Sequence, residues 1–163
     1  MAIPFDDVIT HEDDGCVLTM DNRYYPVVFC HMNGAFTLKS VEFFFGTWRA
    51  QLAKYAHSQN EAIVTILVLS SLRPPPATVR KAAGEYVKMD AHTPGLLCVN
   101  FVVTNPLMRG VITAIVWIAG SENTNAAYFP TIEDAVRASN KSLEAAGFPT
   151  SSLDPSTYQA PTA

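Results

Sequence analysis

Leu96-Leu-Cys-Val-Asn-Phe-Val-Val-Thr-Asn-Pro-Leu-Met-Arg-Gly-Val-Ile-Thr-Ala-Ile-Val-Trp-Ile-Ala-Gly120 is the stretch of sequence that decides the fold. Asn105-Pro106 interrupts an apolar, β-branched run, and the apolar run that follows has the spacing of a helix. Proline lacks a backbone donor and has a helical φ, so Pro106 suits the first helical position, with Asn105 as the N-cap. A strand that leads directly into a helix, both nearly all apolar, is typical of an α/β domain whose strand lies inside the sheet.

The overall composition bounds the size and the class of the protein. A chain of 163 residues is the length of one domain. Hydrophobic residues make up 48% and charged residues 16% of the chain, against a usual charged share of about 25%. This high hydrophobic share and low charged share indicate either a continuous core or an apolar surface that meets a partner. The net charge of −4 and the 11 scattered basic residues argue against a nucleic-acid-binding surface.

The cysteines and the N-terminus bear on the cellular compartment. Cys16, Cys30 and Cys98 are an odd number without paired spacing, which is typical of reduced thiols in the cytoplasm. The N-terminus has no basic region followed by an apolar core, so we expect no secretory signal and a cytoplasmic location. The apolar run from Leu107 to Ile118 is shorter than the ~20 residues that span a bilayer, so we expect a buried helix and no membrane span.

Periodicity along the chain predicts a β-hairpin followed by alternating helices and strands. The predicted strands are Cys16–Met20, Tyr24–Met32, Ala62–Leu69, Leu96–Val103 and Ala126–Phe129, and the helices begin at Thr37, Thr78, Pro106 and Thr131. The core-facing stripe of the first helix is Leu38, Val41, Phe45, Trp48, Leu52 and Tyr55, and that of the third is Leu107, Val111 and Ile118. Strands separated by helices pair in parallel. We therefore predict a single α/β domain with a mixed, mostly parallel sheet of about five strands and four helices packed against it.

The two ends of the chain differ from its middle. Residues 1–15 are acidic and turn-like, which predicts a flexible N-terminal segment. Residues 149–163 are polar and proline-rich, which predicts a disordered C-terminal tail. The folded domain is therefore expected to span residues 16–148.

Three segments resemble the STAS superfamily, the fold of anti-sigma-factor antagonists, and in particular the SpoIIAA-like domains of myxobacteria. They are Val68-Leu-Ser-Ser-Leu-Arg-Pro-Pro-Pro-Ala-Thr78, Phe101-Val-Val-Thr-Asn-Pro-Leu-Met-Arg-Gly-Val-Ile-Thr-Ala-Ile-Val-Trp117 and Tyr128-Phe-Pro-Thr-Ile-Glu-Asp-Ala135. The resemblance covers residues 16–146 and rests mostly on packing positions. It implies a STAS-like fold and a bacterial regulatory role in signalling through protein–protein interaction.

The resemblance also implies a phosphorylation site. In antagonists of this family an acidic residue usually ends the central strand, and a Ser or Thr that accepts a phosphoryl group starts the next helix. Thr78 stands where the acceptor is expected and Ser71 where the acidic residue is expected, and both hydroxyl groups are taken as candidate phospho-acceptors. The Asp-Ser-Ser-Gly run of the family is absent, and a proline triplet occupies that loop. A phosphate at a helix N-terminus is favoured by free N–H groups and the helix dipole, whereas the simpler interpretation makes Thr78 an N-cap and Ser71 a turn residue.

Five residues are candidates for a partner interface. At ~100° per residue, Phe43 lies almost opposite the core stripe of its helix, among Gly46 and Ala50, which predicts a flat adhesive patch. The alternative is a lone exposed aromatic residue. Arg73 follows the central strand, and Arg109 in the first turn of its helix points outward. The helix dipole disfavours a cation in the first turn. Arg109 is therefore interpreted either as a contact to a partner or as a solvated charge.

The sequence offers little for catalysis. Cys30 and His31 are adjacent on a strand and face opposite ways, so they cannot form a nucleophile–base pair. The four histidines lie in separate elements without metal-ligand spacing, and no glycine-rich phosphate loop occurs. We therefore expect no catalytic residue, cofactor or metal, and a non-enzymatic interaction module that docks a regulatory or structural protein and forms a homodimer or oligomer. The alternatives are a carrier of a small apolar ligand or nucleotide and, less favoured, a small Cys/His enzyme.

Overall fold

The computed structural model describes residues 3–120 and 126–162 and contains one six-stranded mixed sheet. The strands are β1 (Val8–Asp13), β2 (Cys16–Asp21), β3 (Val27–Ala35), β4 (Ile63–Arg73), β5 (Leu96–Val102) and β6 (Ala126–Phe129). Their order in the sheet is their order in the chain. The first three pair antiparallel, and β3 to β6 pair in parallel. The predicted α/β class and the mostly parallel mixed sheet are confirmed.

Helices connect the parallel strands, as their pairing requires. The helices are α1 (Leu38–Val41), a π-helix (Glu42–Arg49), α2 (Ala50–Ser58), α3 (Ala77–Asp90), α4 (Pro106–Ala119) and α5 (Ile132–Ala145). Three of the predicted capping residues are confirmed, because the side chains of Thr37, Asn105 and Thr131 each accept a hydrogen bond from a backbone N–H in the first turn. Among residues 3–120 and 126–162, no helix has both the length and the apolar character needed to cross a bilayer.

Each face of the sheet has its own core. Alternation along β4 sends Ile63, Leu67 and Leu69 to the face covered by the π-helix and helices α2, α3 and α4. Val64 and Ile66 point to the opposite face, where they pack against α5. The central strand is therefore buried on both sides, which explains its nearly continuous run of apolar residues.

The structure corrects the prediction that residues 1–15 form a flexible segment. They include β1, which pairs with β2 along its whole length through a hairpin turn at Asp14-Gly15. Both turn residues have positive φ, a conformation that Asp tolerates and Gly adopts freely. The strand carries charged residues and alternates between exposed and half-buried positions, as an edge strand does. This strand makes the total six rather than five.

The predicted disorder of residues 149–163 is also corrected, because residues 151–158 pack against the domain. Leu153 and Ser151 are buried, and the Ser151 N–H donates to Asn140 Oδ1 at 2.9 Å. Further along, Tyr158 stacks on Phe29 of β3. A polar, proline-rich segment can therefore pack when single apolar side chains, here Leu153 and Tyr158, contact the apolar core of the domain.

Two predicted helix faces are wrong. In α4 the buried residues are Met108, Ile112 and Ala119, whereas Leu107 and Ile118 are exposed. The helix is apolar nearly all round, so its sequence period does not identify the inward face. In the first helical region, Leu38 is exposed.

The wider turns of the π-helix also change which aromatic side chain faces the core. Phe44 replaces Phe45 as the fully buried residue, because each π turn contains more residues than an α turn. Phe45 is half-buried and lines a cavity instead.

Candidate functional site

The most unusual local structure is the π-helix at Glu42–Arg49. π-helices are rare, and where they occur they are frequent at functional sites. This one places Phe44, Phe45 and Arg49 along the wall of a cavity between the sheet and helices α3 and α4. The irregular backbone therefore forms part of the wall of this internal cavity.

The cavity has a volume of about 60 Å³ and a wall made almost entirely of carbon. Its floor is formed by residues of β3, β4, β5 and β6, and its sides by the π-helix, α3 and α4. The apolar lining residues are Met32, Phe36, Phe44, Phe45, Leu67, Leu69, Pro75, Ala83, Val87, Val99, Phe101, Met108, Val111, Ile112, Ile115, Val116 and Ala126. A water molecule needs roughly 10–15 Å³ and two or more polar partners, so this space suits a small apolar group better than a water cluster.

Among the described residues of this wall, Arg49 and Asp90 carry the charges. The Arg49 side chain is buried, and one of its terminal nitrogens donates to Asp90 Oδ2 at 2.6 Å. The guanidinium also lies over the rings of Phe44 and Phe45, 5.5 and 5.4 Å from their centroids. The ion pair and the two rings thus offset the unfavourable free energy of burying the Arg49 cation in apolar surroundings.

The compensation is incomplete at one atom. Arg49 Nε is buried and has no hydrogen-bond partner among the described residues. Burial raises the pKa of Asp90, and the Arg49 guanidinium acts in the opposite sense by favouring the carboxylate. A buried N–H donor without an acceptor is uncommon in proteins, and this one belongs to a residue that lines the cavity.

A second feature lies on the outside of α4. Leu107 is 64% exposed, Trp117 is 75% exposed and Ile118 is 44% exposed. Between them lie Gly110 and Ala114, both also exposed. The outer face of this helix is therefore an apolar row of large and small residues, which we call the α4 row (Leu107, Gly110, Ala114, Trp117 and Ile118).

The predicted patch around Phe43 has a different local structure. Phe43 is half-buried because its ring stacks on His11 of β1, with centroids 4.3 Å apart and planes 4° from parallel. Gly46 faces the Tyr86 hydroxyl, and Ala50 is exposed. The strand that covers Phe43 lies in the segment predicted to be flexible, so the sequence pattern could not account for it. A role for Phe43, Gly46 and Ala50 in an interface remains a prediction.

Ser71 and Thr78 are both exposed. Thr78 is not the N-cap of its helix: α3 begins at Ala77, and the Pro76 carbonyl accepts from the N–H groups of Val79 and Arg80. Pro76, with φ −57° and ψ 158°, is the N-cap, so the helix begins before Thr78. The groove beside Thr78 also contains two carboxylates and one ammonium, from Asp13, Asp14 and Lys39. Phosphorylation at Ser71 or Thr78 remains a prediction.

The two predicted basic contacts are far less buried than Arg49. Arg73 is exposed at the end of β4. Arg109 is exposed as well, and its guanidinium lies 5.2 Å from the centroid of the Tyr128 ring. Arg109 is thus a cation held by an aromatic ring at the edge of the sheet, neither freely solvated nor buried.

The structure separates Cys30 from His31, as their alternation on β3 predicts. Cys30 lies in the core beneath the helices, where burial raises the pKa of its thiol well above the ordinary value. His31 lies on the opposite face beside Tyr158. Cys16 and Cys98 also have thiol pKa values raised by burial. Within residues 3–120 and 126–162, no three His, Cys, Asp or Glu side chains are grouped as a metal site requires.

Sequence reasoning missed the Arg49–Asp90 pair and the Tyr158 contact. The signal for Arg49 was present, since a charged residue follows Trp48 directly within an apolar helical region. Its partner is 41 positions away, on another helix, and no local pattern links the two. For Tyr158 the signal was a lone aromatic residue in a polar tail.

Comparison with known proteins gives a likeness of fold alone. No protein-family model matches the chain, and no curated protein matches its sequence. The chain is similar to the crystal structure of an uncharacterized protein of the DUF3478 family with a SpoIIAA-like fold from Shewanella loihica PV-4. The two share 11% identity, the match covers 81% of this chain and 91% of that chain, and the TM-score is 0.48. The description of that structure names no ligand, partner or activity.

Proposed function

We propose that this protein is a non-enzymatic interaction module of the cytoplasm that docks a second copy of itself through the α4 row. The observation that supports this proposal is the exposure of Trp117 and Leu107 on one helix. Singly scattered apolar residues on a surface are ordinary, but a continuous apolar row is a feature of docking surfaces. The three free cysteines suit a reducing compartment.

The pattern of the α4 row favours a second copy over an unrelated partner. Counting from Ile112, Leu107 and Trp117 are each five positions away, and Gly110 and Ala114 are each two positions away. Along the helix the side chains are therefore large, small, small and large, so the order of sizes is nearly the same from either end. A two-fold dimer needs a surface that is complementary to itself. Two antiparallel α4 helices would cross at the small residues and place Leu107 of one copy near Trp117 of the other.

Space and charge on this helix are compatible with that arrangement. A side chain at Gly110 would meet no atom of the described residues within 4 Å, so a neighbouring helix can approach its backbone closely. The helix contains no acidic residue, and its one basic residue is Arg109. Arg109 is held over Tyr128 at the edge of the sheet, away from the row. The approach of two copies therefore brings no like charges directly together along the row.

The test is the oligomeric state measured by sedimentation equilibrium. We expect the unmodified protein to dimerise at micromolar concentration and Trp117→Glu to be monomeric, because a carboxylate in an apolar interface costs its hydration. The matched control is Leu38→Glu, which changes an equally apolar residue that is 56% exposed on α1. This control should dimerise like the unmodified protein.

Two results would contradict the proposal. One is an unmodified protein that remains monomeric throughout the concentration series. The other is a dimer that persists in Trp117→Glu but dissociates in Leu38→Glu, which would place the interface near α1 and the predicted Phe43 patch instead.

A further inference from the structure

We infer that the cavity behind the π-helix is a binding site for a small apolar molecule that carries one neutral hydrogen-bond acceptor, such as a carbonyl oxygen, and that Arg49 Nε is its donor. The site lies on the inner side of α3 and α4. It is therefore separate from the α4 row, and it does not depend on self-association.

The apolar part of the inference rests on the wall of the cavity. Most of its lining residues are aliphatic or aromatic, and Met32 and Met108 can adapt to an occupant because their side chains are unbranched. Small binding sites typically combine such a wall with a few polar groups that fix orientation. Within the described part of the chain, Arg49 and Asp90 supply the charged polar groups of this wall.

The polar part rests on the atom that the protein leaves unpaired. Arg49 is 4% exposed, and its Nε is buried without a partner among the described residues. Leaving a buried donor unsatisfied is unfavourable, so an acceptor brought by a ligand would remove that penalty. The guanidinium plane is fixed by Asp90 and by the rings of Phe44 and Phe45, which sets the direction of the donor before a ligand arrives.

Charge decides between a neutral and an anionic ligand. The Asp90 carboxylate, 2.6 Å from an Arg49 nitrogen, already neutralises the guanidinium. A carboxylate ligand would add a second negative charge to an apolar space that holds one cation, and an uncompensated buried charge is strongly unfavourable. A carbonyl or hydroxyl oxygen accepts the same hydrogen bond without that charge. The ligand class is therefore a neutral molecule.

The test compares cyclopentane, cyclopentanone and cyclopentanecarboxylate, three rings that differ in their polar group. Binding to the full chain is measured from the methyl NMR signals of Ala83 and Ile112 in the cavity wall, with Ala135 on the opposite face of the sheet as an internal reference. We expect cyclopentane to bind weakly, because the ring is larger than the free volume of about 60 Å³ and enters only when flexible side chains such as Met32 and Met108 move. Cyclopentanone should bind about fivefold more tightly, the factor that one net hydrogen bond contributes. Cyclopentanecarboxylate should bind more weakly than the ketone.

One substitution tests the donor. Arg49→Lys retains a cation for Asp90 but lacks the Nε–H group, so the affinity for cyclopentanone should fall to that for cyclopentane, with the affinity for cyclopentane unchanged. The matched control, Arg137→Lys on the exposed face of α5, should leave all three affinities unchanged.

The comparison of the three rings on the unmodified protein needs no variant, so it stands even where Arg49→Lys folds poorly. Absence of shifts at Ala83 and Ile112 with both cyclopentane and cyclopentanone would overturn the site. Equal affinity for those two would overturn the role of Arg49. Tighter binding of the carboxylate would overturn the neutral ligand class.

Discussion

Tyr158 lies nearly flat on Phe29, with ring centroids 4.1 Å apart and planes 17° from parallel. This contact attaches the C-terminal segment to β3, on the face of the sheet that α5 covers. The Tyr158 hydroxyl donates to Asp21 Oδ2 at 3.1 Å and lies 2.7 Å from His31 Nε2. Because the hydroxyl proton goes to the carboxylate, the His31 Nε2–H group is the donor to the tyrosine oxygen. Burial, followed by the nearby Asp21 carboxylate, raises the pKa of Tyr158 and keeps this proton in place.

Replacing Tyr158 should therefore weaken the whole fold. We expect Tyr158→Ala to lower the free energy of unfolding by about 2–3 kcal/mol, since it removes a large stacked ring. Tyr158→Phe keeps the ring and should cost about 1 kcal/mol for the lost hydrogen bonds. Urea denaturation gives both values, and limited proteolysis shows whether the segment after Phe148 becomes accessible. Equal stability of Tyr158→Ala and the unmodified protein would mean that the tail does not contribute to the fold.

The pH dependence of the free energy of unfolding should reflect the protonation of His31. Burial lowers the pKa of His31 below its ordinary value of 6.5, and the Asp21 carboxylate only partly opposes this. The unfolded chain then binds the proton more readily than the folded chain, so stability falls as the pH decreases from above 6.5 toward the lowered pKa. Thermal unfolding at pH 7.5 and at pH 5.5, followed by circular dichroism, measures the difference.

Two variants assign that pH dependence to one side chain. His31→Gln cannot titrate, so the loss of stability between the two pH values should shrink. His57→Gln removes an exposed histidine of α2 and should leave the loss unchanged. If His57→Gln rather than His31→Gln flattens the pH dependence, the argument from burial is wrong.

The sequence predicts the order of the elements well because local signals define where they begin and end. Asn105 and Pro106 mark the start of α4, and Thr131 marks the start of α5, each through a bond to the first turn. These caps are formed by residues two or three positions apart, so they are visible in any short window. The parallel pairing of β3 to β6 follows from the helices between them.

Features that depend on distant residues could not be predicted in this way. The outward face of α4 is set by what packs against the other side, and both sides of that helix are apolar. The π-helix has the composition of an ordinary helix, so nothing in Glu42–Arg49 distinguishes it. Phe43 is covered by His11, and Arg49 is paired with Asp90; in both cases the partner comes from another element. The candidate site was therefore largely invisible in the sequence.

Breaking the Arg49–Asp90 pair from one side should be costly. Arg49→Met leaves the Asp90 carboxylate without its partner in apolar surroundings, and we expect a loss of about 3 kcal/mol in the free energy of unfolding. The double variant Arg49→Met/Asp90→Leu removes both charges and should be more stable than Arg49→Met alone. Urea denaturation of the variants measures the coupling between the two residues.

The control for this pair is an ion pair on the surface. Arg137 and Glu133 are 2.6 Å apart, and both side chains are largely solvent-accessible. Because exposed pairs contribute little, Arg137→Met should cost less than about 1 kcal/mol. Losses of similar size for Arg49→Met and Arg137→Met would contradict the buried ion pair.

Gly95 and Gly147 share a backbone conformation, and Gly95 should tolerate replacement less well than Gly147. Gly95 and Gly147 have φ values of +85° and +78°, so alanine is strained at both. A methyl group on Gly95 would overlap the carbonyl oxygen of Ala53, whereas one on Gly147 would meet no atom within 4 Å. We expect Gly147→Ala to cost about 1–2 kcal/mol from strain alone. Gly95→Ala should cost at least ~3 kcal/mol, because α2 or the start of β5 must also move. Urea denaturation compares the two, and equal losses would mean that α2 does not pack against this turn.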